Sequence, residues 1–183
     1  HLLLQLVVTG THLSKKHGAT YKEIENDGLL NYHKVDISLS SDSEKGIAQS
    51  MSFGMVGFAD TFSNLQPDLV VVLGDRFEIF VAVTVATIMR LPVAHIHGGE
   101  TTLGSYDEAF RHSITKMSHL HFTATDEYYR RVIQLGESPK RVFNVGAIGI
   151  DNINNLNLLS RKSFEDTVGF KLGKRNLLIT FHP

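Results

Sequence analysis

Residues Pro67–His112 read PDLVVVLGDRFEIFVAVTVATIMRLPVAHIHGGETTLGSYDEAFRH, and this stretch decides the fold. The Val-rich run Leu69–Leu73 does not alternate apolar with polar residues, which is typical of a strand buried on both faces of a parallel sheet. Within Arg76–Arg90 the apolar residues are spaced as in a helix largely buried against that sheet. Pro92–Ile96 predicts the next strand, and Asp107 opens another helix. The stretch therefore predicts a β-α-β-α unit.

Polar side chains follow both of these strands at their carboxyl ends. Gly74 and Asp75 follow the first strand, and His97-Gly98-Gly99-Glu100 follows the second. Open α/β sheets bind ligands outside the carboxyl ends of their strands, so we expect a ligand site at this edge.

The alternation of strands and helices continues on both sides of this stretch. Further strands are predicted at Leu2–Val8, His33–Ile37, Ser118–Thr123, Arg141–Val145 and Asn176–Thr180, with helices at Ser43–Asn64 and Asp126–Leu135. This order predicts one Rossmann-like, three-layer α/β domain with a parallel sheet over residues 1–183. The helix after Ser43 contains three glycines, which indicate either close approach to a neighbour, another subunit included, or a loosely formed helix.

The composition excludes several classes of protein. A chain of 183 residues with 42% hydrophobic residues can bury the core of one domain. Its formal net charge of -1 gives no electrostatic basis for binding nucleic acid or an anionic membrane, and its apolar runs are too short to span a membrane. Without cysteine there is no disulfide framework and no thiolate metal site, which is compatible with a reducing cytoplasm.

The acidic residues at the strand ends also have a purely structural interpretation. Asp75 could cap the following helix, since an acid at a helix start is favourable by about 0.3–1 kcal/mol. Asp107 and Glu108 could likewise be ordinary acids of a first helical turn. Arg111 lies on the same side of that helix and could pair with them.

The histidines of the second strand are candidates for one pocket. His95 and His97 share a face if a regular strand runs through both. They are weak candidates for zinc ligands, because the spacing fixes no third ligand. Gly98-Gly99 would let a ligand approach backbone amides, but the chain contains no G-x-G-x-x-G or Walker sequence, which disfavours a dinucleotide or ATP.

Taken together, these motifs resemble the hydrolysing UDP-N-acetylglucosamine 2-epimerases of sialic-acid biosynthesis. The resemblance is carried by Val8-Thr9-Gly10-Thr11-His12 with Gly18 and Thr20, Leu73-Gly74-Asp75-Arg76-Phe77-Glu78, His95-Ile96-His97-Gly98-Gly99-Glu100, Asp107-Glu108 with Arg111-His112-Ser113-Ile114-Thr115-Lys116, and Val145-Gly146 with Asp151. It covers essentially the whole chain, and the ordered set is specific although each motif alone is weak. The chain is most similar to the bacterial polysialic-acid capsule members, and the bacillosamine-derivative epimerases of the legionaminic-acid route are similar too.

The resemblance implies a two-domain fold of the glycosyltransferase-B type, with the active site between two Rossmann-like halves. Only the first half would be present here. Thr9-Gly10-Thr11-His12 matches the second strand of the family, so the first strand and helix are expected to precede it, and a second domain with most UDP contacts is expected to follow. The complete protein is expected to be a cytoplasmic homodimer or homotetramer that takes a UDP-sugar.

The reaction implied by the resemblance eliminates UDP to give 2-acetamidoglucal and then adds water to give N-acetylmannosamine. Such a reaction needs placed acids, bases and hydrogen-bond donors. Asp75, Asp107 and His182 match catalytic positions of the family. His97 stands where many relatives have glutamate, so either His97 or Glu100 would supply the remaining acid or base, a role that imidazole can fill near neutral pH.

The resemblance also implies a set of residues that bind the substrate, and it implies neither a metal nor a nicotinamide cofactor. The expected binding residues are His12, Arg76, His95, Glu100, Arg111 and His112. Two other classes share part of this pattern. A non-epimerising glycosyltransferase of the same fold would need an acceptor, and a module that only senses the sugar nucleotide would bind without turnover.

Overall fold

The computed structural model of the protein describes residues 1–38 and 41–181 and divides the chain into two compact units. The first is His1–Ala147 and the second is Ile148–Pro183. The sequence predicts a single domain over residues 1–183, whereas the structure separates its last part as a smaller unit. Each unit is described by itself below.

The first unit alternates strands and helices, as the pattern of apolar runs predicts. In chain order the elements are β1 (Leu6–Thr9), α1 (Tyr21–Asn26), β2 (Tyr32–Val35), α2 (Glu44–Leu65), β3 (Val70–Leu73), α3 (Phe77–Ile88), β4 (Val93–Ile96), α4 (Asp107–Met117), β5 (Leu120–Thr123), α5 (Asp126–Gln134) and β6 (Val142–Asn144). Short 3-10 turns lie at Gly10–Leu13, Lys15–His17 and Pro139–Arg141. In the part of the chain that the structure describes, no helix is both long and apolar enough to cross a membrane.

Among the described residues, all the strand pairs are parallel, and they form two sheets. β1 pairs with β2, and the second sheet has the order β3-β4-β5-β6. Its register sets Val72 beside His95 and His95 beside His121, so these residues form one row across three strands. Because the strands are parallel, their carboxyl ends meet at one edge of the sheet. The predicted α/β class with a parallel sheet is confirmed.

The core of the first unit lies between α2, α3 and the strands. Val83 and Ala86 of α3 are completely buried there, as expected for a helix packed on a sheet. A Cβ added at Gly54 would lie 3.1 Å from Val81 of α3, and one at Gly57 would lie 2.7 Å from Val35 of β2. These glycines of α2 therefore serve close packing within the chain, and they give no argument for a subunit contact.

The prediction that Leu69–Leu73 is buried on both faces is wrong. Val72 points into the core, but Val71 is 59% exposed and Leu73 is 53% exposed. The reason is that β3 stands at the edge of its sheet, and among the described residues nothing covers its outer face. An apolar run alone does not reveal which strand lies at an edge.

The second unit contains the helices α6 (Ile148–Asn155) and α7 (Arg161–Val168). Ser160 caps α7 by accepting a hydrogen bond from the amide of Ser163, and Gly169 ends it in the left-handed region at φ 78°. The predicted strand Asn176–Thr180 is not formed. An isolated strand leaves its backbone groups without partners, and the described part of the second unit contains no other strand to pair with it.

Candidate active site

Arg111 of α4 joins the ends of the adjacent strands β3 and β4. Its side chain is 8% exposed, and Nη2 forms an ion pair with Oδ2 of Asp75, which directly follows β3 and Gly74. Nη1 lies 3.1 Å from Oε2 of Glu100 and 3.2 Å from the carbonyl oxygen of His97, both in the loop after β4. A planar guanidinium suits such a bridge, because its N–H groups point in fixed directions. Three elements are thus tied together at one point.

Thr102 completes the contacts of Arg111 and was not among the residues expected from the sequence. Its hydroxyl oxygen lies 3.3 Å from Nη2 of Arg111, and its backbone amide donates a 3.0 Å hydrogen bond to Glu108. Nothing in the Thr101–Ser105 segment distinguishes this threonine from its neighbour, so only the fold identifies it.

His97 leaves the strand rather than continuing it. Its φ is 65°, in the left-handed region that a non-glycine residue rarely adopts, and β4 ends one residue earlier at Ile96. Nδ1 lies 2.5 Å from Oε1 of Glu100. Because a carboxylate only accepts, Nδ1 carries the proton, and in the neutral ring Nε2 keeps its lone pair. The regular strand needed to put His95 and His97 on one face is absent.

Asp75 is held as a partner of Arg111 and does not cap a helix. The cap position of α3 is Arg76, and no side chain accepts a hydrogen bond from the first turn there. The Asp75 carboxylate is 18% exposed and faces the guanidinium. This contact contradicts the interpretation of Asp75 as a capping residue only.

Asp107 lies in the first turn of α4, partly buried and near Asp75. Burial, reinforced by the charge of Asp75, raises the pKa of the Asp107 carboxyl. The alternative pairing of Arg111 with the acids of its own helix is not formed, because the guanidinium is directed to Asp75 and Glu100. Glu108 instead lies 3.7 Å from Nε2 of His112.

A second ion pair fixes the start of α3. Arg76, which remains 56% exposed, donates to both carboxylate oxygens of Glu78 at 3.2 and 3.1 Å, and this bond raises the pKa of Arg76. Glu78 is buried against Gly10, where a Cβ would come within 2.5 Å of its Oε1. The turn after β1 therefore packs directly on this pair. An acid in an otherwise apolar helix is the sequence signal for such a role.

His95 lies inside the protein, away from any ligand surface. Its side chain is 0% exposed, with Nε2 2.8 Å from the carbonyl oxygen of Gly74 and Nδ1 3.2 Å from Thr115 Oγ1. Burial lowers its pKa to about 4, so the ring is neutral at neutral pH. The expected contact of His95 with substrate is not available in this arrangement.

The two glycines after His97 approach the protein itself rather than a ligand. Both are buried. A Cβ at Gly98 would lie 3.0 Å from His95 Nδ1, and one at Gly99 would lie 2.5 Å from the carbonyl oxygen of Tyr128. The Gly99 carbonyl accepts a 2.5 Å hydrogen bond from Arg131 Nη1. Their backbone is therefore packed against α4 and α5, which differs from the expected open cradle.

The remaining expected residues lie apart from this cluster or outside the described chain. His12 is exposed in the turn after β1, and its Nδ1 lies 2.8 Å from Thr20 Oγ1. His182 falls outside the described residues. Within residues 1–38 and 41–181, no three His, Asp or Glu side chains are arranged to hold a metal ion.

The cluster can support proton transfer next to fixed charge. Asp107 offers a carboxyl whose pKa is raised by burial and by the charge of Asp75, and His97 offers an Nε2 able to accept a proton. The sequence profile of the UDP-N-acetylglucosamine 2-epimerase family matches residues 1–183. The chain belongs to this family.

Individual relatives agree with this assignment. The chain is 46% identical, over all of its length, to a GDP/UDP-N,N'-diacetylbacillosamine 2-epimerase (hydrolyzing) of Campylobacter jejuni, of which it covers 47%. It is 47% identical, over 98% of its length, to polysialic acid biosynthesis protein P7 of Escherichia coli, of which it covers 46%. The chain thus spans about half the length of these relatives.

A solved structure confirms the fold. The crystal structure of a putative UDP-N-acetylglucosamine 2-epimerase from Listeria monocytogenes superimposes with a TM-score of 0.74 at 21% identity. The match covers 88% of this chain and 42% of that one.

Proposed function

We propose that the complete gene product is a hydrolysing UDP-sugar 2-epimerase. It would convert UDP-N-acetylglucosamine and water to N-acetylmannosamine and UDP, in the cytoplasm and on a route to sialic or polysialic acid. The observation that carries the proposal is the bridge of Arg111 to Asp75 and Glu100, which gathers acid and base groups at the carboxyl ends of adjacent strands. Family membership supplies the reaction class.

The chemistry requires two opposite proton transfers at C2 of the sugar. In the elimination a base removes the C2 proton, the C1–O bond breaks, and UDP leaves with the bonding pair. In the hydration, a base takes a proton from water as its oxygen adds to C1 of the glycal, and an acid delivers a proton to C2 on the other face. A group that serves both steps changes its protonation state between them.

We assign His97 and Asp107 to these proton transfers, with Asp75 as the third catalytic group. Glu100 fixes the His97 tautomer, which leaves Nε2 to accept a proton. This contact favours His97 as the base and Glu100 as its orienting partner. Asp107, with its raised pKa, suits proton donation. Arg111, Arg76, His112 and His12 are proposed to bind the substrate, and His182 to act from outside the described residues.

The sugar accepted by the protein has two candidates. The relative from C. jejuni is named for N,N'-diacetylbacillosamine and the one from E. coli for polysialic acid, at nearly equal identity. Both UDP-sugars therefore belong in the assay. Turnover of UDP-N,N'-diacetylbacillosamine alone would assign the protein to the alternative substrate.

The decisive experiment follows the hydrogen at C2. The complete gene product is incubated with each UDP-sugar in deuterated water, and UDP, glycal and the free sugar are analysed by NMR. We expect UDP release without an acceptor and deuterium at C2 of the product. Retention of the substrate hydrogen at C2 would exclude elimination, and UDP release that requires an acceptor would indicate a glycosyltransferase.

We also propose that the complete protein forms a homodimer or homotetramer through α2. The glycines of α2 face inward, but Phe53 and Val56 are exposed on its outer side. Contiguous exposed apolar surface marks many subunit contacts, and Phe53 and Val56 would contribute to such a surface. Sedimentation velocity should show an oligomer that Phe53→Lys dissociates. A monomeric wild-type protein would contradict this.

A further inference from the structure

His95 lies beneath both loops that carry the site. It stands in β4 with Val72 on one side and His121 on the other, and its side chain has no exposed surface. Burying an imidazole is unfavourable unless its nitrogens find hydrogen-bond partners. Both nitrogens of His95 have such partners, and each partner belongs to an element of the site.

The partners of His95 define its tautomer. Nε2 lies 2.8 Å from the carbonyl oxygen of Gly74, which only accepts, so Nε2 carries the proton. Nδ1 is then an acceptor, 3.2 Å from the hydroxyl of Thr115. That hydroxyl also lies 3.0 Å from the backbone carbonyl oxygen of Arg111, and because it has a single hydrogen it donates to Nδ1 or to this carbonyl, one at a time. A chain of polar contacts thus runs from α4 through His95 to the end of β3.

The bond to Gly74 acts on the peptide that precedes Asp75. Gly74 has a φ of 82°, a turn conformation that few other residues adopt, and its amide donates to the carbonyl of Ile96 at 3.0 Å. With its carbonyl held by His95 as well, the Gly74–Asp75 peptide has one orientation. That orientation directs the Asp75 carboxylate to Arg111.

The same ring supports the loop after β4. Gly98 approaches so closely that an added Cβ would lie 3.0 Å from His95 Nδ1 and 3.0 Å from Thr115 Oγ1. The loop from His97 to Glu100 therefore packs against the His95 ring. One side chain contacts both segments that present acid and base groups.

We propose that His95 is a positioning residue, whose Nε2–H holds the Gly74 carbonyl so that Asp75 is set against Arg111. The inference rests on the proposed epimerase reaction and deepens it. A positioning residue affects the geometry of the reacting groups, and hence kcat, more than it affects binding of the substrate, and hence KM. Misplacement of about 1 Å can cost about a hundredfold in rate.

The test compares two amides at position 95 in the complete gene product. The side-chain nitrogen of Gln reaches the place of Nε2 and can donate to Gly74, whereas Asn reaches only the place of Nδ1. We expect His95→Gln to keep kcat within about threefold, and His95→Asn to lower it about thirtyfold or more with KM nearly unchanged. Equal kcat values for the two variants would overturn the proposal, as would an effect on KM alone.

His121 provides the matched control. It lies beside His95 in the same row and is equally buried, and its Nε2 lies 3.3 Å from Oε2 of Glu137, a residue outside the site. The same replacements, His121→Gln and His121→Asn, should leave kcat within about threefold of each other. If His121→Asn lowered kcat as much as His95→Asn does, the loss of rate would come from disturbed core packing, and the proposal would be wrong.

A measurement without turnover separates this inference from the proposed function. In the 15N-labelled wild-type protein, NMR of the imidazole nitrogens should show His95 as the neutral Nε2–H tautomer at pH 7. An Nδ1–H tautomer or a protonated ring would overturn the proposal. If the wild-type protein released no UDP, the proposed reaction would be wrong, and the tautomer would still decide whether His95 holds Gly74.

Discussion

At the scale of single residues, the geometry of the site depends on which ion pair each charged side chain forms. Arg111 lies within one helical turn of two acids on α4, yet its guanidinium turns to Asp75 and Glu100 on other elements. Asp107 is therefore left without that cation, and burial raises its pKa. A carboxyl in this state suits an acid catalyst, whereas an ordinary acid of a first helical turn would have been paired or solvated.

The carboxylates of the site should differ sharply in their effect on the rate. We expect Asp75→Asn and Asp107→Asn each to lower kcat of the complete gene product by about a hundredfold or more, the usual scale for a general acid or base. Glu108→Gln is the control, since Glu108 faces His112 and the Thr102 amide, and it should cost less than about tenfold. UDP release measured for all three variants decides this. Near-normal rates in both Asp variants would mean that Asp75 and Asp107 have only a structural role.

At the scale of elements, the sequence predicts where β3 and β4 lie along the chain but not how these strands end. The apolar runs predict β3 and β4, and the polar residues after them lie at the edge of the sheet where Arg111 contacts Asp75 and Glu100. The turn at His97 could not be predicted, because a left-handed non-glycine residue is maintained by tertiary contacts, here those of Glu100 and Arg111. The exposure of Val71 could not be predicted either, because it depends on the neighbouring strands in the folded protein.

Two of the three glycines in the loop after β4, Gly99 and Gly104, should tolerate alanine very differently. Gly99 and Gly104 both have a positive φ, near 80° and 83°, so alanine is strained at either position by about 1–2 kcal/mol. At Gly99 the new Cβ would also collide with the Tyr128 carbonyl, whereas nothing lies within 4 Å at Gly104. Thermal unfolding should therefore show a clearly larger loss of stability for Gly99→Ala. Equal losses would mean that the loop does not pack on α5 as described.

At the scale of the whole molecule, burial of His95 makes the stability of the fold depend on pH. The pKa of His95 is lowered to about 4 in the folded protein, mainly by burial, against an ordinary value of 6.5. Between these values the unfolded chain binds a proton that the folded chain does not, so stability rises with pH there. Above pH 6.5 this contribution is fully present, and it is lost progressively as the pH falls towards 4.

Acid unfolding should reveal this contribution of His95. A shift of about 2.5 pH units corresponds to about 3 kcal/mol of unfolding free energy lost between pH 6.5 and pH 4. His95→Gln removes the titrating group, so the variant should lose less stability over this range, while His121, whose pKa burial also lowers, still titrates in both proteins. Urea unfolding at a series of pH values measures the difference. Parallel curves for the two proteins would contradict the burial of a neutral His95.

Two carboxylates share the single guanidinium of Arg111, and this arrangement leaves a net negative charge around it. Asp75 and Glu100 together outweigh the single positive charge of Arg111. Two like charges 4 Å apart repel by about 4 kcal/mol near a protein surface. In the proposed UDP-sugar substrate, the diphosphate should therefore keep away from this cluster, and the uncharged sugar ring should face it. Shape and hydrogen bonds would then select the sugar, and only the nucleotide end of the substrate should loosen as ionic strength rises.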